Sequence, residues 1–310
     1  MQLSIIVPCY NEEEVLEKTS SVLLSMLDRL IISSKIDDDS MVYFVDDGSN
    51  DNTWPVIEDI VFKSKRAKGI KLSRNRGHQN ALLAGLFTAE GDIVVSIDAD
   101  LQDDVEVIEQ IVEEYQKGNE IVYGVRNERK TDTFFKRTTA EGFYKIMQFM
   151  GVDIVFNHAD YRLLSRNVIE HLKDYKEVNL FLRAMVPLIG FKSANVYYDR
   201  TERFAGESKY PLKKMLSFAW DGITSFSIIP LRLITITGFL LFIVSIFMSL
   251  WVLGTKLFTN AAIPGWASTV LPIYFIGGIQ ILSLGVVGEY IGKIYMETKQ
   301  RPRYIIEKII

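Results

Sequence analysis

The sequence predicts an α/β domain, a mostly parallel sheet with helices on both faces, carried on a C-terminal two-helix membrane anchor. Three observations lead there. Strand-like and helix-like stretches alternate over roughly the first 125 residues, the pattern of a sheet built from crossover units. Polar clusters fall where the expected strands end, which is where such sheets bind ligands. Near the other terminus, Leu233–Thr255 and Leu257–Gly288 hold no charged residue, and each exceeds the about 20 residues that cross a bilayer as a helix.

The elements follow in order. Leu3 to Val7 reads as a strand and Glu12 to about Ile32 as a helix. Met41 to Val45 is a strand ending in Asp46-Asp47-Gly48-Ser49. Thr53 to Phe62 is a helix, Gly69 to Leu72 a short strand, and Gly77 to Ala89 a helix rich in Ala and Leu. Asp92 to Ile97 is the central strand, Val105 to Lys117 a helix and Glu120 to Gly124 another strand. Beyond residue 125 the pattern is less regular. Two segments, Phe134 to Phe149 and Tyr210 to Ile229, mix aromatic and basic residues, as helices lying in the headgroup plane do. Ordinary amphipathic core helices are the other reading of both.

Ser96-Ile97-Asp98-Ala99-Asp100-Leu101-Gln102-Asp103 is the most informative run. The apolar residues before it read as a buried parallel strand. In extended backbone, positions two apart share a face, so Asp98 and Asp100 point at one spot and Gln102 continues the series. Hard oxygen ligands on one side, with room for waters and phosphates, suit Mg2+ or Mn2+ carried with a nucleotide. Acidic residues after a strand are also often merely solvated, and the run alone leaves both readings open.

Composition narrows the field. Lys and Arg total 35 against 39 Asp and Glu, a net charge of −4 over 310 residues, which argues against a general nucleic-acid binder. The single cysteine, Cys9, rules out an internal disulfide and fits a reducing compartment. His78, His158 and His171 lack zinc-ligand spacing. The first residues carry no basic stretch and run into Glu12–Glu14, unlike a signal peptide. Lys213, Lys214 and Arg232 precede the first uncharged stretch, and Lys293, Lys299, Arg301, Arg303 and Lys308 follow the second. Only Lys256 lies between them, so the positive-inside rule puts both outer flanks in the cytoplasm. Trp251 and Trp266 stand where interfacial aromatics are expected. A pair of buried core helices is the competing reading. The expected organisation is a cytosolic domain over 1–210, an interfacial helix over 211–229, two transmembrane helices within 230–292 (about 233–255 and 267–288) and a basic cytoplasmic tail over 293–310.

Pro8-Cys9-Tyr10-Asn11-Glu12, Val45-Asp46-Asp47-Gly48-Ser49-Asn50-Asp51, the Ser96–Asp103 run and Asp160-Tyr161-Arg162-Leu163 occur in that order. The chain thereby resembles the family 2 glycosyltransferases of the GT-A fold. Leu72-Ser73-Arg74-Asn75-Arg76-Gly77-His78-Gln79, Glu202-Arg203-Phe204-Ala205-Gly206-Glu207-Ser208-Lys209-Tyr210 and Gly288-Glu289-Tyr290-Ile291-Gly292-Lys293-Ile294-Tyr295 resemble polyprenyl-phosphate glycosyltransferases. Among these, the bacterial bactoprenol (undecaprenyl-phosphate) glucosyltransferases are closer than the dolichyl-phosphate mannose synthases.

The resemblance implies a Rossmann-like GT-A domain that moves a sugar, glucose from UDP-glucose by overall resemblance, onto the phosphate of a polyprenyl lipid at the inner (cytoplasmic) membrane. The product is a lipid-linked monosaccharide for cell-surface glycan modification, such as that of the lipopolysaccharide O-antigen. Relatives with the same motifs use other sugars. The resemblance further implies a nucleotide pocket of Pro8, Tyr10, Asn11, Glu12, Asp46 and Asp47. Asp98 is implied to be a catalytic carboxylate that touches the nucleotide sugar, and Asp100, with Gln102, to hold a Mg2+ or Mn2+ ion. Arg126, Arg137, Arg203, Ser208 and Lys209 are implied to bind the diphosphate and the acceptor phosphate, and Asp160 to be a catalytic carboxylate. Duller roles exist: Arg137 as a headgroup contact, Asp160 as the ion-pair partner of Arg162, Asp46 as a loop cap. A homo-oligomer is implied, a tetramer being one form, and no nucleic-acid partner. Two other functions compete: a processive polysaccharide synthase, whose Gln-x-x-Arg-Trp signature Gln300-Arg301-Pro302-Arg303-Tyr304 superficially resembles, and a non-catalytic membrane scaffold.

Overall fold

The computed structural model describes residues 1–127, 158–178, 180–199, 224, 229–258 and 266–310. The first half alternates as the sequence predicts. Strand β1 (Leu3–Cys9) leads to helix α1 (Leu16–Ile32), β2 (Met41–Asp46) to α2 (Thr53–Lys63), β3 (Ala67–Leu72) to α3 (His78–Thr88), and β4 (Ile93–Ser96) to α4 (Val107–Gln116) and β5 (Ile121–Arg126). Strand β6 (His158–Ser165), helices α5 (Arg166–Leu172) and α6 (Leu182–Leu188), and strand β7 (Ser193–Tyr198) complete the domain. Two long helices, α7 (Ile229–Phe258) and α8 (Trp266–Thr298), and a last strand, β8 (Ile306–Ile309), follow.

All eight strands form one sheet in the order β7-β5-β6-β4-β1-β2-β3-β8. The β4-β1-β2-β3 centre is parallel, as is β5 with β7. Strand β6 runs antiparallel between β4 and β5, and β8 antiparallel along β3. The central strands are buried on both faces, and strand alternation divides their side chains between two cores. Leu3, Ile5 and Val7 join Leu16, Leu23 and Leu27 of α1 in one. Ile6 joins Leu82, Leu83 and Leu86 of α3 in the other. Helix α3 lies so close to β1 that a Cβ at Gly85 would collide with the Ile6 side chain, so glycine is what permits this approach. Ser165 caps α5, its hydroxyl accepting from the Val168 N–H (3.2 Å), a standard N-cap arrangement.

Three expectations are corrected. Strand β4 ends at Ser96, and Asp98-Ala99-Asp100 lies in a turn, with Leu101 at φ 53°. The two carboxylates are therefore arranged by a turn and not by strand alternation. Helix α1 starts at Leu16, because residues 13–15 form a turn closed by the Val15 N–H on the Glu12 carbonyl (3.1 Å). The expected basic tail is not a plain tail: α8 continues to Thr298, and β8 then pairs with β3, with Ile310 and Gly69 exchanging backbone hydrogen bonds of 2.9 and 3.0 Å.

Among the described residues, one segment, Phe275–Thr298 of α8, is long and apolar enough to cross a membrane, and none of its most apolar window is buried. Ile229–Leu241 of α7 is a shorter apolar stretch. The amphipathic segment expected over 134–149 lies outside the described residues, as does 210–229 apart from Thr224 and Ile229.

Candidate active site

Parallel pairing aligns the carboxyl ends of β4, β1 and β2. Ser96 stands beside Ile6, and Cys9 beside Asp46. The loops that leave these ends are braced against one another. The Asn11 N–H donates to Ser49 Oγ (3.0 Å), and the Asn50 N–H donates to Asn11 Oδ1 (2.9 Å). The Glu12 N–H donates to Thr53 Oγ1 (2.8 Å). Tyr10, 42% exposed, projects from this framework. Pro8 does not, being buried within β1 opposite Val45.

Asp46 and Asp47 do different things. Asp46 is fully buried; its Oδ1 accepts from the Ser49 N–H (3.1 Å), and its Oδ2 has no hydrogen-bond partner among the described residues. Burial pushes its carboxyl above the ordinary range, opposed by the hydrogen bonds from Ser49. Asp47 accepts from the Arg76 N–H (2.7 Å) and the Gly77 N–H (2.9 Å), so both its oxygens hold the loop that opens α3. Gly48 makes this possible. Its φ is +66°, and an added Cβ would come 2.5 Å from the Arg74 carbonyl carbon and the Asn75 nitrogen, a position only glycine fits.

That loop delivers His78, the first residue of α3, to the turn after β4, where its Nε2 meets Asp98 Oδ1 at 3.1 Å. The turn is anchored from behind by Thr19 Oγ1, which donates to the Ala99 carbonyl (2.6 Å). Asp100 Oδ1 accepts from the Gln102 N–H (3.2 Å), and Gln102 itself is buried. Asp98 stands among Asp100, Asp103 and Asp160. Desolvation pushes its carboxyl up to about 6, His78 opposes the shift, and repulsion from the three neighbours adds to it. Its side chain is still 38% exposed at the mouth of the site, so solvent screening tempers this tension.

Asp103 and Asp160 are each held by cations. Asp103 is buried; its Oδ1 accepts from Arg126 Nη2 (2.9 Å) and the Tyr198 hydroxyl (2.6 Å), while its Oδ2 has no hydrogen-bond partner among the described residues. Asp160 and Arg162 are two apart on β6 and so share a face; they pair directly, and Arg183 of α6 adds contacts of 3.3 and 3.2 Å. Burial alone would raise the Asp160 carboxyl, but Arg183 and Arg162 outweigh it and hold it well below the usual carboxylate range.

The structure thus gathers Asp98, Asp100 and Asp160 at one edge, beside the Tyr10–Glu12 and Asp46–Asp47 loops. Arg126, expected on phosphate, pairs with Asp103. Arg137, Arg203, Ser208 and Lys209 lie outside the described residues. His78, Asp103, Arg183 and Tyr198 belong to the cluster although sequence reasoning gave them no role. His78 and Asp103 stand within the motif runs, which was the available signal; nothing local marks Arg183 or Tyr198.

Among the described residues no group of three His, Cys, Asp or Glu side chains forms a ready-made metal site. The donor set nonetheless fits a hard divalent cation. Crowded carboxylates that disfavour their own ionisation are relieved by positive charge, and Mg2+ is usually held by one or two carboxylates with substrate phosphates and water completing the shell.

Comparison with known proteins gives a consistent picture. The sequence model of the family described as Glycosyl transferase family 2 matches residues 4–173. The uncharacterized glycosyltransferase YkoT of Bacillus subtilis (strain 168) is 54% identical over 309 residues, 98% of this chain and 91% of that protein. The prophage bactoprenol glucosyl transferase homolog of Escherichia coli (strain K12) is 39% identical over 311 residues, covering 100% and 99%. The bactoprenol glucosyl transferase of Shigella phage SfII is 38% identical over 309 residues, covering 99% and 98%.

Proposed function

Since the chain belongs to glycosyl transferase family 2 and is a glycosyltransferase, we propose that it transfers one glucose from UDP-glucose to undecaprenyl phosphate, with inversion at the anomeric carbon. The observation that carries this reading is the end-to-end similarity to proteins named bactoprenol glucosyl transferase, at 38–39% identity over 99–100% of the chain. It extends through α7 and α8, where the part specific to a lipid acceptor is expected.

In this reading the Tyr10–Glu12 loop and the buried, half-bonded Asp46 receive the nucleoside, and Asp47 keeps the His78 loop in place. Asp98, held by His78, faces the sugar and diphosphate. Asp100 holds the Mg2+ or Mn2+ ion, with Gln102 beside it. The ion supplies charge neutralisation for the departing diphosphate. The acceptor phosphate, with a second pKa of about 6, is already a nucleophile. Asp160, doubly paired with arginines, is therefore assigned to positioning and to stabilising positive charge at the sugar, not to proton removal. Arg137, Arg203, Ser208, Lys209 and, by release from Asp103, Arg126 are the proposed phosphate contacts; arginine forks suit phosphate geometry.

Both long helices are proposed to cross the cytoplasmic membrane, with the catalytic domain on the cytoplasmic side. The uncharged stretches Leu233–Thr255 and Leu257–Gly288 and their basic flanks support this. A homo-oligomer belongs to the same reading: a Cβ at Gly288 or Gly292 of α8 would meet nothing within 4 Å, which leaves room for close helix approach.

The test is transfer of radiolabelled glucose from UDP-glucose into an organic-extractable lipid by the purified full-length protein with undecaprenyl phosphate and Mn2+. Label should enter the lipid and be lost with EDTA. Absence of labelled lipid under all metal conditions contradicts the reading.

A further inference from the structure

The C-terminal end of helix α8 is tied to other parts of the chain. Glu289, Lys293 and Glu297 are spaced i, i+4 and i+8, which puts all three on one helical face. Two of the three are bonded outside the helix, and Glu297 meets the catalytic domain. Lys293 Nζ donates to the hydroxyl of buried Thr224. The two carboxylate oxygens of Glu297 accept from the Val178 N–H at 2.8 and 2.9 Å. Beyond the helix, Arg303 donates to the Tyr175 carbonyl, and Tyr304 packs against the core that lies under α3. The loop between α5 and α6 is therefore gripped at Tyr175 and at Val178 by the end of the membrane helix.

The far side of that loop is the Asp160 clamp. The Leu180 N–H closes onto the Val178 carbonyl (3.1 Å). The Leu182 N–H donates to Gln79 Oε1 (3.0 Å), and the Leu182 carbonyl accepts from Arg162 Nη1 (3.2 Å). The next residue, Arg183, holds both oxygens of Asp160. Gln79 follows His78, which holds Asp98. Hydrogen bonds at both ends of the backbone from Val178 to Arg183 thus join the end of α8 to Asp160.

We propose that Glu297 is a positioning residue that ties the membrane helix to the Asp160–Arg162–Arg183 clamp and so sets the site against the membrane surface. The proposal rests on the transfer reading above. The Val178 N–H is shared between the two oxygens of an ionised carboxylate, and the charge on the acceptor strengthens the contact over a neutral one. It fixes the start of a segment whose end places two arginines. Misplacement of a reacting group by about 1 Å can cost on the order of a hundredfold in rate. The nucleotide loops after β1 and β2 lie off this path, so donor binding should be indifferent to it.

The experiment compares full-length wild type, Glu297→Ala and Glu297→Gln in detergent by three readouts: amide hydrogen exchange, binding of UDP with Mn2+, and glucose transfer to undecaprenyl phosphate. Glu297→Ala should speed exchange at Val178 and Leu182 and leave UDP affinity within about twofold. Its kcat should fall about ten- to a hundredfold, with little change in the UDP-glucose KM. Glu297→Gln retains an acceptor oxygen for Val178 and should recover most of the rate. Faster exchange without loss of kcat, or loss of kcat with exchange unchanged at 178–183, overturns the proposal. Should Glu297→Ala fail to accumulate, Arg303→Gln, which loosens the Tyr175 bond, gives the same readouts. A wild type that binds UDP with Mn2+ yet makes no glucosyl lipid sinks the transfer reading instead. The tie is then judged by exchange alone, and protection at 178–183 that ignores Glu297 refutes it.

Discussion

Asp98 sits where four carboxylates converge, and its burial and their repulsion raise it to about 6 against the pull of His78. The unfolded value is about 3.9. Between these values the folded protein binds more protons than the unfolded chain, so stability falls as pH rises through that window and stays reduced above about 6. Asp160 has the opposite sign: its lowered carboxyl contributes stability at neutral pH that is lost only in strong acid. In metal-free protein, Asp98→Asn should therefore unfold at a higher temperature than wild type at about pH 7.5, with the gap closing below about pH 4. Thermal scans across pH check this; a variant less stable than wild type at neutral pH contradicts it. The same substitution should abolish turnover, the usual exchange of stability for function at an active site. Asp98 and Asp100 stand out in the sequence because an apolar run leads into them, but the turn that arranges them after Ser96 is a property of the fold. His78 and Arg183 were not, because their partners come from other elements and only the fold brings them together.

At the scale of elements, the instructive case is the end of the chain. Arg301, Arg303 and Lys308 made residues 293–310 read as a basic tail, yet Ile305, Ile306, Ile309 and Ile310 supply the β-branched content of a strand. Charge outweighed that signal in the reading; the open edge of β3 decides it in the fold. Gly69 leaves space beside β3 that the Ile310 side chain fills, and Tyr304 and Ile306 pack on the core under α3. The Arg303 and Tyr304 positions that resembled a polymerase signature are thus occupied with docking. Deleting residues 305–310 should expose an unpaired edge and lower stability by about 2 kcal/mol or more, roughly the burial of one isoleucine. Loss of melting temperature with increased aggregation is the expected result, and an unchanged melting temperature refutes it. The alternating elements of the first half were legible to within a few residues, because each apolar run alternates with a helical period. The antiparallel insertion of β6 between β4 and β5 was not, since nothing local in His158–Ser165 states its neighbours.

Across the whole molecule, the architecture places the candidate site at the carboxyl ends of the central strands and a long apolar helix after the domain, with β8 returning to the sheet. In the proposed reaction, a domain held at the membrane surface converts an encounter between a water-soluble nucleotide sugar and a lipid phosphate into a positioned one. The charge distribution of the sequence leads to an expectation of two membrane spans, and among the described residues one segment, Phe275–Thr298, is long and apolar enough to cross a membrane. The central claim remains that the turn after β4 is where a metal-bound nucleotide sugar sits. The most direct measurement is calorimetric titration of UDP into the full-length protein with and without Mn2+, for wild type and Asp100→Asn. Wild type should bind UDP tightly only with Mn2+, and the variant should lose at least about tenfold in affinity, about 1.4 kcal/mol. Equal affinity in the two proteins, or binding indifferent to Mn2+, would contradict the assignment.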